Sequence, residues 1–293
     1  MDIKKVLGSA VVATGVLALG IVGTRAFFSD TETSTGNSFV AGDIDLKIDN
    51  SSYAIDWNIP NYVSPSGAFV ASTHTSWDLK DLTIEKFFDF KDLKPGDYGE
   101  DTISVHVGSN DAWVCAAARV TDDNDNTYTE PEEDDDLTLG PDPLLVDGEL
   151  DESLNFAFWA DDGDNVFEDG EQVFLGGPLS GLGEQGQIAL ADSNSSIVGE
   201  GPIPGGDTFY IGKIWCFGNL VAVPLAQDQL GTDGPIAPDR VGTGFNCDGT
   251  LVDNAAQTDK VVGDLQFYAT QSRHNDDFLC RDWKPEWPVA RPE

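Results

Sequence analysis

Carboxylates are the most abundant chemistry in this chain, with 52 Asp and Glu among 293 residues. Two stretches space them as ligands. The first is Asp161-Asp162-Gly163-Asp164-Asn165, followed by Glu168, Asp169 and Glu171. Close-set oxygens around a glycine turn suit a hard cation, and calcium is the common one outside cells. The second begins at Asp122. Acid or amide stands at positions one, three and five (Asp122, Asn124, Asn126), and Glu133 stands at position twelve. That is the spacing of a helix-flanked calcium loop, although Thr127 occupies the usual glycine position and Pro131 interrupts it. Calcium is therefore the expected cofactor, with a solvated acidic turn as the alternative at each place.

Other chemistries are poorly supplied. There is no Gly-x-Ser-x-Gly elbow and no His-Glu-x-x-His pair. The three histidines, His74, His106 and His274, are scattered, and none sits in a pattern that builds a triad or a zinc site. Carboxylate pairs for glycoside hydrolysis are inevitable at this abundance and so carry no signal. The expectation is that the chain is not an enzyme. Most of the seven tryptophans fall in apolar runs and are expected in the core, with Trp283 and Trp287 the two most exposed.

The balance of charge is −36 at neutral pH. Such a surface repels nucleic acid, which is bound through Lys and Arg. The N-terminus reads as an export signal: Lys4 and Lys5, an apolar run over 6–23, then small residues before a cut between Ala26 and Phe27. A retained membrane anchor is the alternative. Export fits the four cysteines, an even number expected to form two disulfides. Three pairings are possible, and Cys216–Cys247 with Cys115–Cys280 is preferred.

These groups need elements to hold them. Period-two alternation over 43–48 and 102–107, and more continuous apolar runs over 112–120, 154–159, 209–217 and 265–270, predict strands. Glycine, proline, Asn and Asp separate them, as turns require. Short helices are expected near 77–82 or 222–230. The fold class is all-β, a jelly-roll-like sandwich, with a leader over 1–26, one domain over 27–282 and an irregular tail over 283–293. The acidic stretch 122–151 and the Gly/Ser-rich stretch 176–206 are expected as loop insertions outside the framework.

The most specific block is Ala26, Phe28, Ser29 and Asp30, then Gly36, Asn37, Phe39, Ala41, Gly42, Asp45 and Leu46. It resembles the start of the TasA/camelysin family, whose precursors use a SipW-type signal peptidase. The turn Leu93-Lys94-Pro95-Gly96-Asp97 is similar to one in the same family. The resemblance covers about the first hundred residues. It implies a secreted jelly-roll-like protein, extracellular or at the cell surface, that self-associates into fibres or biofilm matrix. Assembly would proceed by donation of the mature N-terminal strand, with Phe27, Phe28 and Phe39 as apolar anchors. The alternatives are a monomeric, calcium-stabilised surface module that binds carbohydrate or another cell, and a camelysin-like metallopeptidase.

Overall fold

The computed structural model describes residues 29–34, 38–40, 44–56, 68–126, 129–136, 147–236 and 242–287. The expected leader over 1–26, the expected cut between Ala26 and Phe27, and Phe28 lie outside them, as does Trp57.

Two antiparallel sheets form a sandwich. The larger has the order β4-β3-β6-β11-β8-β9, with β5 also on β3. Its strands are β3 (Leu46–Asp56), β4 (Ala68–Ala71), β5 (Trp77–Lys80), β6 (Tyr98–Val107), β8 (Leu154–Asp161), β9 (Val173–Pro178) and β11 (Thr208–Phe217). The smaller has the order β10-β7-β14-β1-β2. It is built from β1 (Ser29–Ser34), β2 (Ser38–Val40), β7 (Ala112–Asn124), β10 (Gln187–Ala191) and β14 (Lys260–Gln271). A separate pair joins β12 (Asn219–Ala222) to β13 (Phe245–Asp248). From β6 onward the chain crosses repeatedly between the sheets, as in a jelly roll, with β8 and β9 a hairpin within the larger sheet. It departs from that pattern in that β3 and β6 are neighbours.

The alternating sequences do what their period demands. In β3, Leu46 and Ile48 point inward while Lys47 and Asp49 point outward. Ile103, Val105 and Val107 of β6 and Ile211 of β11 join them against Trp113, Phe267 and Ala269 of the smaller sheet. The Pro95-Gly96 turn forms as expected: Gly96 has φ +93, and the Asp97 amide donates to the Lys94 carbonyl at 2.8 Å.

The two disulfides are Cys115–Cys280 and Cys216–Cys247, the preferred set. The first ties the C-terminal segment to β7. Trp283 is consequently buried, stacked on Tyr268 at 5.0 Å, and Arg119 lies over the Trp287 ring. The exposure expected of Trp283 is thus corrected: the disulfide holds it against the sheet.

Three further expectations fail for identifiable reasons. Stretch 176–206 is not an excursion, because Gln187–Ala191 completes the edge of the smaller sheet beside β7. The acidic stretch 122–151 begins as strand, since β7 continues to Asn124 opposite Lys260 of β14. It also ends in the first residues of the short helix Leu150–Ser153. Residues 77–80 pair with β3 as strand rather than helix, and 223–230 are irregular.

Candidate metal centre

β6 is the strand on which the sequence most understates burial. Its outward positions Glu100, Thr102 and Ser104 are polar, yet all are buried. A half-exposed strand would show them to water. Here segments 162–172, 223–236 and 242–245 fold over the outer face of the larger sheet. They are fastened by backbone bonds from Phe167 to the Thr243 carbonyl at 3.0 Å and from Leu225 to the Phe167 carbonyl at 3.0 Å. Trp159, Phe167, Ile214 and Phe245 pack beneath as a small apolar cluster.

The loop that follows β8 turns at Gly163 (φ +110) and Asn165 (φ +64). Asp161 caps it: one carboxylate oxygen accepts from the amides of Gly163 and Asn165 at 3.1 and 3.2 Å, and the other from Trp159 Nε1 at 3.1 Å. Glu171 reaches back to accept from the amides of Asp162 and Glu168 at 3.1 and 2.8 Å. The result is two overlapping carboxylate groups, Asp161/Asp162/Glu171 and Asp162/Asp164/Glu168. In each, one oxygen per residue lies within 4.8 Å of the others. Asp164 and Glu168 are fully buried. Five of the seven residues expected from the sequence therefore converge, while Asp169 is exposed and belongs to neither group.

Asn165 is placed differently. It is 2% exposed, neither atom of its side-chain amide has a hydrogen-bond partner, and it lines a cavity on the outer sheet face.

Crowding of carboxylates in a dry place is unfavourable when all are ionised. Burial, then the neighbouring Asp164, pushes Asp161 up to about 7. Burial and the charges of Asp161 and Asp162 push Glu171 up to about 8. Glu100, beneath them on β6, is raised well above the ordinary carboxylate range by burial first and by Asp161 second. A divalent ion held there would supply the missing positive charge, with these carboxylates as its oxygen ligands. Glu100 was missed by sequence reasoning; its only signal was an acid inside an otherwise buried strand.

The second expected loop does not form. Asp122 and Asn124 remain on β7, where Asp122 pairs with Lys260 at 3.0 Å and accepts from the Asn124 amide. Asn126 donates to the Thr258 carbonyl at 3.1 Å, and Glu133 is exposed. The cause is the continued strand, whose alternation sends Asp122 and Asn124 away from their odd-numbered neighbours. Instead Asp125, Glu132 and Asp259 come together within 4.8 Å, an arrangement invisible to local spacing because Asp259 precedes β14. Burial and then Asp151 push the adjacent Asp123 up to about 7, and burial raises Asp259 to about 6.

The histidines belong to none of these groups. His106 bridges Asp49 and Thr208 at 2.8 Å each, while His74 and His274 are exposed.

Residues 2–104 match the family model described as camelysin metallo-endopeptidase. Over that stretch, about a third of the chain, the sequence is similar to the camelysin family. No curated protein and no solved structure matched the chain. The camelysin-type region ends within β6, so it contributes Glu100 but not the 161–171 loop. All three carboxylate groups are oxygen-only, a set that suits calcium or magnesium better than zinc.

Proposed function

We propose that this chain is an exported structural subunit of a cell surface or extracellular matrix. It would self-associate through the strand that follows its leader, with calcium stiffening the body. The supporting observation is the position of β1. β14 is paired along its length with β7 on one side, and on its other side with Ser29–Ser34 over six residues, Ser29 opposite Thr270 through Ser34 opposite Leu265. The edge of β14 is thus closed by the segment nearest the leader. β2 follows it, with Phe39 in register opposite Glu32. A second copy's β1 would make the same main-chain bonds, so exchange between copies conserves the hydrogen bonds and requires only release of the N-terminus. The family match, the two disulfides and the acidic surface all accord with a protein working outside the cell.

Electron microscopy of the purified chain beginning at Phe27 is expected to show filaments, and the same chain lacking 27–40 is expected to stay monomeric. Monomers from the intact mature chain at high concentration would sink this reading. Filaments from the shortened chain would move the interface elsewhere.

A second reading, a surface module that binds saccharide, is favoured by the cavity of about 300 Å³ on the outer face of β3, β6 and β11. Tyr53 and Tyr210 offer apolar ring faces, Asp49 and Ser104 offer hydrogen bonds, and Asn165 and Thr102 carry buried polar atoms with no partner. Neutral sugars match such a lining. Calorimetric titration with neutral oligosaccharides is expected to show binding that Tyr210→Ala weakens at least tenfold. No heat from any neutral sugar would remove this reading without touching the first.

A further inference from the structure

Lys213 and Asp101 form the one ion pair among those of the described residues in which both side chains have 0% exposure. They sit directly opposite each other on β11 and β6, the two central strands of the larger sheet, and both face the interior of the sandwich. The same row continues to Ser52 of β3 on one side and Phe158 of β8 on the other. Phe88 covers the amine, its ring centroid 3.7 Å from Nζ, and the Phe87 carbonyl accepts from it at 3.4 Å.

An ion pair is an expensive occupant of such a place. Removing two charges from water costs several kcal/mol per ion, and one cross-strand contact with few supporting hydrogen bonds recovers only part of that. Burial drives each group toward its neutral form: it lowers Lys213 and raises Asp101, against the opposing pull of each on the other. A neutral amine held against a neutral carboxylic acid is a reactive pair, and enforced contact supplies the effective concentration that the reaction lacks in water.

We propose that Lys213 and Asp101 condense spontaneously into an amide that cross-links β11 to β6. The lone pair of the Lys213 amine attacks Cγ of the protonated Asp101 carboxyl. The carboxyl hydroxyl leaves, taking one amine proton, and one water is released. No oxidant or co-reactant is needed, and the net charge of the neutral pair does not change. Ser52, Thr75 and Ser72 provide a route for the proton and for the departing water. Ser52 lies beside the Asp101 carboxyl, Thr75 Oγ1 donates to Ser52 Oγ at 2.8 Å and contacts Ser72 Oγ at 2.6 Å, and Ser72 reaches the partly exposed surface. The product has two consequences. It removes both buried charges, and it joins strands far apart in sequence by a bond that reduction does not break. In a subunit that bears load along its sheets, this would be a third cross-link beside the two disulfides.

The test is mass spectrometry of the purified wild-type chain after reduction and denaturation. The expected mass is one water below that of the sequence. Proteolysis is expected to give a branched peptide containing Asp101 and Lys213, with no cleavage after Lys213. Lys213→Met is expected to restore the full mass, and Asp101→Asn to give the wild-type product by loss of ammonia instead of water. A full-mass wild-type chain with Lys213 cleavable by trypsin overturns the proposal. That wild-type measurement decides the matter even if both variants fail to fold.

Discussion

In the presence of a chelator the protein is expected to melt at a lower temperature at pH 8 than at pH 5, and millimolar calcium is expected to erase most of the difference. The direction follows from the buried acids. Asp161 moves from 3.8 in the unfolded chain to about 7 in the folded one, and Glu171 from 4.5 to about 8. Between those values the folded state holds protons that the unfolded state has released, so stability falls as pH rises. Below about pH 4 both states are protonated and the penalty vanishes. Above about pH 8 it is complete. For the nearly buried Asp161 the shift corresponds to roughly 4 kcal/mol. Glu171 is more exposed, and solvent screening discounts its share.

A bound cation reverses the balance, because it favours the ionised carboxylates of the folded state. At a thousandfold excess over its dissociation constant it adds about 4 kcal/mol by mass action, comparable to the penalty it removes. The surface charge of −36 also destabilises the protein as pH rises. Measuring in 1 M sodium chloride separates the two effects, since the Debye length there is about 3 Å and surface repulsion is screened while the buried cluster is not. Asp161→Asn should flatten the pH dependence. Equal melting temperatures at pH 5 and pH 8 in chelator and high salt, or a higher one at pH 8, would show that the carboxylates are not crowded as described.

How far the sequence reaches can be judged residue by residue. The strands around Leu46–Asp56 and Tyr98–Val107 are legible because alternation reports one packed face. The 161–171 loop is legible because its ligands lie within eleven consecutive residues and the turns that fold it are local. What fails is everything set by distant chain. Nothing near Glu100 or Thr102 says that 223–236 and 242–245 will cover them. Nothing near Glu132 says that Asp259 will approach. The twelve-residue spacing from Asp122 misleads because a strand partner, Lys260–Gln271, extends β7 through the residues that a ligand loop would need to curl. The Gly/Ser composition of 176–206 hides β10, whose five residues are held as a strand by pairing to β7 rather than by intrinsic preference.

Gly212→Ala should cost far more than a methyl group on an exposed strand, and it should weaken cation binding at a site it does not touch. Gly212 of β11 stands opposite Trp159 of β8, and the indole of Trp159, fully buried, lies across the glycine. A Cβ at 212 would fall within the indole itself, against Cε2, Cζ2 and Nε1. The backbone is pinned by pairing to both β6 and β8, so the ring must yield. Overpacking of this kind costs about 1–3 kcal/mol and sometimes more. At the upper figure the melting temperature drops by roughly 6–12 °C. The ring cannot move without disturbing its bond from Nε1 to Asp161, which orients the first carboxylate of the loop. Calcium affinity should therefore fall by tenfold or more, a loss of about 1.4 kcal/mol. Trp159→Phe separates the two effects. Combined with Gly212→Ala it relieves the clash and should recover much of the melting temperature, but without an indole N–H it should not recover the affinity. If Gly212→Ala melts like the wild type, or if the double variant regains full calcium affinity, the path from core to loop through Trp159 is wrong.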